Sequence, residues 1–248
     1  MGILNVTPDS FSDGGAFYNV EDAVGRGLQM TEEGAHIIDV GGESTRPGAE
    51  PVDTEEEIKR IIPVIKRLRT QTSTLISVDT YKSEVATAAL DAGADIVNDI
   101  SGLQFDHTMV KIIEKYRCPV IVMHIKGNPG NMQLNPHYDN VFSEIYSYFE
   151  ERISDIGQTS NDKIILDPGI GFGKRLEDNI QIIKNLQKFG FLGYPLMVGT
   201  SRKSFIGKLL KKSTEERLSG SIASELVSIL NGADIIRVHD VKETVDVI

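Results

Sequence analysis

Side chains able to donate, accept or carry charge recur in this chain where short apolar runs give way to polar segments. In order they are Asn5, Asp39, Asp79, Asn98, His124, Asp167, Lys203 and Arg237 with His239. Asp79, Asn98 and Asp167 suit the edge of a heterocycle. A carboxylate accepts from adjacent ring N–H and amino groups, while an Asn amide both donates and accepts. Arg46, Lys203 and Arg237 add cations that would draw an anion. Two polar segments accompany them. Asn5-Val-Thr-Pro-Asp-Ser-Phe-Ser-Asp-Gly-Gly15 ends in glycines and carries two acids, and Gly41-Gly-Glu-Ser-Thr-Arg-Pro-Gly48 sets hydroxyls, an Arg and a Pro between glycines. Such composition presents side chains rather than packing them. Asp39, inside its apolar run, and His124 are equally consistent with pairing inside the fold.

Other chemistries are excluded by pattern. Asp167-Pro-Gly-Ile-Gly-Phe-Gly-Lys174 is glycine-rich, but Pro168 stands where a Walker motif needs its first Gly. Lys174 likewise falls on the last Gly of the dinucleotide fingerprint. No Cys/His cluster has zinc spacing, and there is no G-x-S-x-G elbow. The residues alone thus imply an enzyme that binds an aromatic, hydrogen-bond-rich anion, without naming its reaction.

The elements that must position these groups are legible. Glu33-Gly-Ala-His-Ile-Ile-Asp39, Ala92-Gly-Ala-Asp-Ile-Val-Asn98 and Asn231-Gly-Ala-Asp-Ile-Ile-Arg237 are near copies. Their Gly suits the left-handed position that ends a helix, and the branched residues after it suit a buried strand. Ile3-Leu4, Leu75–Val78, Val120–Met123, Ile164–Leu166 and Leu196–Val198 bring the total to about eight strands. Helical stripes lie between them: Ile58, Ile61, Ile62, Ile65 and Leu68 after a Thr54–Glu57 capping box, then Phe142, Ile145, Phe149 and Ile153, then Leu176, Ile180, Ile183 and Leu186. A second box, Ser213–Glu216, predicts a helix with Ile222, Leu226, Ile229 and Leu230 on its buried face. Pro63 should kink the first of these helices or tighten its first turns. The alternation predicts a parallel sheet, and roughly 31 residues per unit fits a closed (β/α)8 TIM barrel in one domain spanning 1–248, the competitor being an open doubly wound sheet. Both ends look clipped.

Composition agrees with a soluble enzyme. Apolar residues make up 40% and charged residues 25%, and 26 basic against 36 acidic side chains give a net charge of −10, the wrong sign for nucleic acid or an anionic membrane. No apolar run reaches the roughly 18 residues of a membrane span. Cys118 is the single cysteine, so no disulfide forms within the chain and a cytoplasmic location is expected. The start, Met1–Ser10, has no basic region of a signal peptide.

The motifs also resemble a family. Asn5–Gly14, Gly41–Gly48, Ser77-Val-Asp-Thr80, Asp167-Pro-Gly-Ile-Gly-Phe172, Thr200-Ser-Arg-Lys-Ser204 and Arg237-Val-His239 are similar, in order and from end to end, to the signatures of the dihydropteroate synthases, a pterin-binding family. The resemblance implies a TIM barrel that joins 7,8-dihydropterin-6-ylmethyl diphosphate to 4-aminobenzoate in folate biosynthesis, the step sulfonamides target. It implies a pterin pocket of Asp79, Asn98, Asp167 and Lys203. Diphosphate would lie by Asn5, Thr45, Arg237 and His239, with Asn5 a ligand of Mg²⁺. Aminobenzoate would meet Thr45, Arg46, Pro47, Phe172 and Ser204. Asp13, Asp167 and Lys203 are its implied catalytic groups, the mechanism is dissociative, and a homodimer is expected. Two rivals share the pterin contacts: a methyltransferase using a reduced folate, which would not need Ser44–Pro47 or Ser201–Lys203, and a pterin-binding homologue without synthase activity, whose hallmark would be a broken first or second loop.

Overall fold

The computed structural model describes residues 1–7, 20–45, 48–157 and 162–248. Strands β1 (Gly2–Asn5), β2 (Ile37–Gly41), β3 (Leu75–Asp79), β4 (Ile96–Asp99), β5 (Val120–Met123) and β6 (Ile164–Asp167) form a parallel sheet in sequence order. β7 (Met197–Val198) and β8 (Ile235–Ile236) make a second, two-stranded parallel piece. Parallel bridges Leu166–Leu196 and Gly2–Val238 join the two pieces at both edges. The Ile3 N–H donates to the Val238 carbonyl at 2.9 Å, and the Leu166 N–H to the Pro195 carbonyl at 2.9 Å. The sheet is therefore closed, as a TIM barrel, and the open-sheet alternative is set aside.

The repeated Gly-Ala turn works as its composition suggests. Gly34, Gly93 and Gly232 have φ of +100°, +109° and +100°, a region where a side chain is strained. Each lets the next alanine N–H reach back to a carbonyl five residues earlier: Ala35 to Met30, Ala94 to Ala89, Ala233 to Ser228. These bonds satisfy helix-end carbonyls and aim the chain into the next strand.

Helices α1 (Val20–Glu32), α2 (Thr54–Gln71), α3 (Ser83–Asp91), α4 (Met109–Tyr116), α5 (Val141–Ile156), α6 (Leu176–Lys184), α7 (Ser204–Leu210), α8 (Leu218–Leu230) and α9 (Val241–Val245), with a 3-10 segment Leu186–Leu192, alternate with the strands. The main core lies between strands and helices: Leu4, Ile38, Val40, Ile76, Val78, Val97, Val120, Val122 and Leu166 meet Ile61, Ile65, Leu68, Ile113, Ile145 and Phe149. Alternate strand residues point into the barrel. Its floor is a small separate cluster of Ile37, Ile96, Ile121 and Met197.

Three local expectations are corrected. The cap of α2 is Asp53, whose carboxylate accepts the Glu56 N–H at 2.8 Å, because Glu57 is buried and bonded to Lys82 instead of reaching back to Thr54. Pro63 is not one of them: where a kink or tightened turns are expected, it lies inside α2 with its ring exposed, so water can serve the carbonyl that lost its partner. At Ser213–Glu216 the Ser213 N–H donates to Glu216 at 3.1 Å, but the chain turns there and α8 begins only at Leu218. The buried face of α8 is Ser221, Glu225 and Ser228, whereas Leu226 and Leu230 are exposed. Gly220 packs so near α7 that a Cβ there would lie 2.4 Å from Ile206. Close approach at Gly220 and Ser221 leaves no room for a large apolar side chain there, and the leucines turn outward.

Candidate active site

Register builds the mouth of the barrel. Asn5 pairs with Gly41, Gly41 with Asp79, and Asp79 with Asn98, so the ends of β1 to β4 stand at one level. Asn98 pairs with Ile121 and Ile121 with Ile165, so Asp167, paired with Met123, stands two residues further along β6 on the same inward face. Arg237, just past β8, reaches across. Its Nε donates to Asp39 Oδ2 at 2.6 Å and an Nη to Asp79 Oδ2 at 2.6 Å. Asn98 Nδ2 donates to the same Asp39 oxygen at 3.0 Å. Asp39 has no solvent exposure and is the hub that fixes both Arg237 and Asn98.

Charge is strongly tuned here. Burial pushes the Asp79 carboxyl up to about 7, against the opposing pull of Arg237. Asp167 is raised by burial too, with Lys203 opposing, and it accepts the Gly169 N–H at 2.7 Å. Burial lowers Lys203 to about 8, while Asp167 and Asp79 draw it back. For Arg237 the carboxylates Asp39 and Asp79 outweigh burial and hold the cation more firmly than usual. Asp39 Oδ1, Asp79 Oδ1, Ser77 Oγ and Thr200 Oγ1 are buried with no hydrogen-bond partner among the described residues. Two carboxylate oxygens in this state are acceptors suited to ligand N–H groups.

Lys203 is the residue before α7. Its ammonium donates to the Ile170 carbonyl and lies 4.8 Å from the Phe172 ring centre, so it joins the β7 and β6 loops. Phe172 is half-buried, and Ser204, the first residue of α7, is exposed. His239 meets Ser201: its Nδ1 is 3.1 Å from Ser201 Oγ, and its backbone N–H donates to that hydroxyl at 3.2 Å. Asn5 and Thr45 are half-buried in the β1 and β2 connections. Asp13, Arg46 and Pro47 lie outside the described residues.

Two groups had no clear role by sequence. Lys174, the end of the glycine-rich segment, is buried; its ammonium lies 2.8 Å from His124 Nδ1 and donates to the Phe172 carbonyl at 3.0 Å. Burial lowers both His124 and Lys174 well below their usual ranges. His124 is thus a neutral acceptor in a loop clamp. Gly169 packs so tightly there that a Cβ would lie 2.0 Å from the His124 carbonyl oxygen. Asp39 was visible as a polar residue, but only the cross-barrel reach of Arg237 gives it a function.

Comparison with known proteins then decides the family. Residues 1–239 match the model of the pterin binding enzymes. The chain belongs to the pterin binding enzyme family. It is 50% identical over 248 residues to the dihydropteroate synthase of Escherichia coli (strain K12), covering 99% of this chain and 88% of that one. A solved Xanthomonas albilineans dihydropteroate synthase with 4-aminobenzoic acid superposes with a TM-score of 0.92 at 46% identity, covering 99% of this chain and 88% of that one. The enzyme of the same organism in complex with 7,8-dihydropteroate gives 0.89 at 42% identity, over 99% and 89%.

Proposed function

We propose that this chain catalyses the dihydropteroate synthase reaction: the amine of 4-aminobenzoate displaces diphosphate from the methylene of 7,8-dihydropterin-6-ylmethyl diphosphate, giving 7,8-dihydropteroate and pyrophosphate. The observation that carries the reading is the barrel mouth in which Asp79, Asn98, Asp167 and Lys203 gather, in a chain half identical to a named synthase. Asp79 and Asp167 present acceptors to the amino and ring N–H groups of the pterin, Asn98 reads the same edge, and Lys203 closes the pocket over Phe172. Arg237 spends two donors on Asp39 and Asp79; its remaining N–H groups, with Asn5, Thr45 and His239, hold the diphosphate. Aminobenzoate lies by Thr45, Arg46, Pro47, Phe172 and Ser204.

The bond breaks before the new one forms, leaving a cation delocalised over the pterin. Asp167 stabilises that ring electrostatically, and Asp13, from the first loop, approaches the same charge. Positioning of the amine does the rest, with no covalent enzyme intermediate. Asn5 fits a Mg²⁺ ligand. It offers one hard amide oxygen, and no three His, Cys, Asp or Glu side chains among the described residues cluster to hold a metal. That donor set suits an ion keeping waters and sharing substrate phosphate oxygens. When bound, Mg²⁺ draws charge onto the departing diphosphate. The exposed Leu226, Val227 and Leu230 of α8 support a homodimer through that helix. No helix among the described residues is long and apolar enough to cross a membrane, and we place the enzyme in the cytoplasm.

The test is pyrophosphate release that requires 4-aminobenzoate. Release without it, or none with both substrates, overturns the reading; a methyltransferase or an inactive pterin binder gives no such release. In calorimetry, Asn5→Ala should weaken binding of the pterin diphosphate in Mg²⁺ buffer and leave a pterin lacking diphosphate nearly unaffected. Equal losses for both ligands would remove Asn5 from the metal.

A further inference from the structure

Outside the mouth, a charge cluster is built on Lys82, three residues past Asp79. Its ammonium donates to Glu43 at 2.5 Å, to Glu57 at 2.5 Å and to the Val52 carbonyl at 2.6 Å. A lysine has three donors, and all are used. The acceptors are not random in sequence. Glu43 stands where the chain leaves β2, Val52 where it returns, and Glu57 in the first turn of α2. The Tyr81 hydroxyl adds a bond to Glu43 at 2.9 Å, and Arg60 ties the Gly42 carbonyl at 2.9 Å. Both ends of the β2–α2 loop are thereby fastened to the strand end that carries Asp79.

A cavity of about 540 Å³ separates Gly48–Pro51 from Tyr81, Phe105 and Pro129. Among the described residues, the contacts that fasten the loop on that side are those of the charged staple. Between the fastened points the sequence carries Thr45, Arg46 and Pro47, the residues assigned above to aminobenzoate.

We propose that Lys82 is a positioning residue: by holding Glu43, Val52 and Glu57 it sets the β2–α2 loop relative to Asp79, and so determines affinity for the aminobenzoate half of the reaction rather than the pterin half. The inference rests on the synthase reading. It touches neither substrate, since its ammonium is saturated by protein acceptors. The side chain of Glu57 is 1% exposed, so removing the cation alone strands a buried acid, which is costly.

The experiment therefore compares Lys82→Met/Glu57→Gln, which removes the cation together with the buried acid and leaves the net charge unchanged, with Glu43→Gln, in steady-state kinetics with each substrate varied. Both variants should unfold cooperatively. In the double variant KM for 4-aminobenzoate should rise roughly tenfold or more, since small misplacements of a binding loop are amplified, while KM for the pterin diphosphate stays within about twofold. Glu43→Gln should shift the same constant by less, and Glu43→Gln added to the double variant should contribute almost nothing further, because the bond is already gone. Equal rises in both KM values, a fall in kcat alone, or an unchanged aminobenzoate KM in either folded variant overturns the proposal. Should the double variant fail to fold, the Glu43→Gln kinetics decide by the same criterion. A wild-type chain without aminobenzoate-dependent turnover fails the synthase reading instead.

Discussion

The two faces of β1–β8 are made of different matter. Outward-facing Leu4, Ile38, Val40, Ile76, Val78, Val97, Val122, Leu166 and Val198 join the helices in one continuous apolar core. Inward, the floor of Ile37, Ile96, Ile121 and Met197 is apolar, and above it Asp39, Ser77, Asp79, Asn98 and Asp167 stand with Met123 beside them. A barrel interior is ordinarily filled by branched side chains in stacked layers. Here the upper layers are given to polar groups, some of them orphaned, so the outer face must supply the stability that the inner face forgoes.

The largest effect should come from the inner face. Asp167→Asn replaces two acceptors with one and points an unwanted donor pair at the pterin, so kcat/KM should fall about a thousandfold, as for a buried site left unpaired, with little change in Tm. Near-native turnover would remove Asp167 as the ring anchor. Next is an outer residue. Ile76→Ala, on a fully buried β3 position, should cost about 2–5 kcal/mol in denaturant unfolding while the folded fraction keeps its KM values. A stability loss as large for Asp167→Asn as for Ile76→Ala would erase the division between the faces.

The smallest effect sharpens the comparison, because it concerns a buried acid away from the mouth. Glu225 of α8 accepts the Thr244 hydroxyl at 2.9 Å, and burial raises it to about 7 from an ordinary 4.5. A carboxyl whose folded pKa is raised contributes its stability below pH 4.5 and loses it as pH climbs through 7, since the folded state holds the proton more firmly. Glu225→Gln should therefore match wild type near pH 4 and be more stable by about 1–3 kcal/mol at pH 8, with activity retained. An advantage equal at both pH values, measured by urea unfolding, would show that Glu225 does not titrate with folding.

Three strand starts were legible because the repeated Gly-Ala-polar-Ile turn opens β2, β4 and β8, and Asn98 falls on that count; Asp79 and Asp167 were legible instead as acids that end short branched runs. Asp39 looked like an acid embedded in a buried strand, since one sequence does not say which face opens on a ligand. Its partner Arg237 is 198 residues away, and no local pattern links them. The α8 face misled for a related reason: Leu226 and Leu230 have helical spacing, but the side turned inward is Ser221, Glu225 and Ser228, with Gly220 close against α7. Lys82 carried no motif at all; its meaning comes from three acceptors that meet only when the β2–α2 loop folds back.

The closure of the barrel has a consequence for how the site comes into being. Asp39, Asp79, Asn98 and Asp167 all belong to the six-stranded arc, while Lys203 and Arg237 follow the strands of the two-stranded piece. An arc assembled alone owns the acids and neither of these bases. Recognition is then not acquired gradually as the arc consolidates but arrives with the last joint, and the Arg237 fork to Asp39 and Asp79 is at once mortar for that joint and part of what it creates.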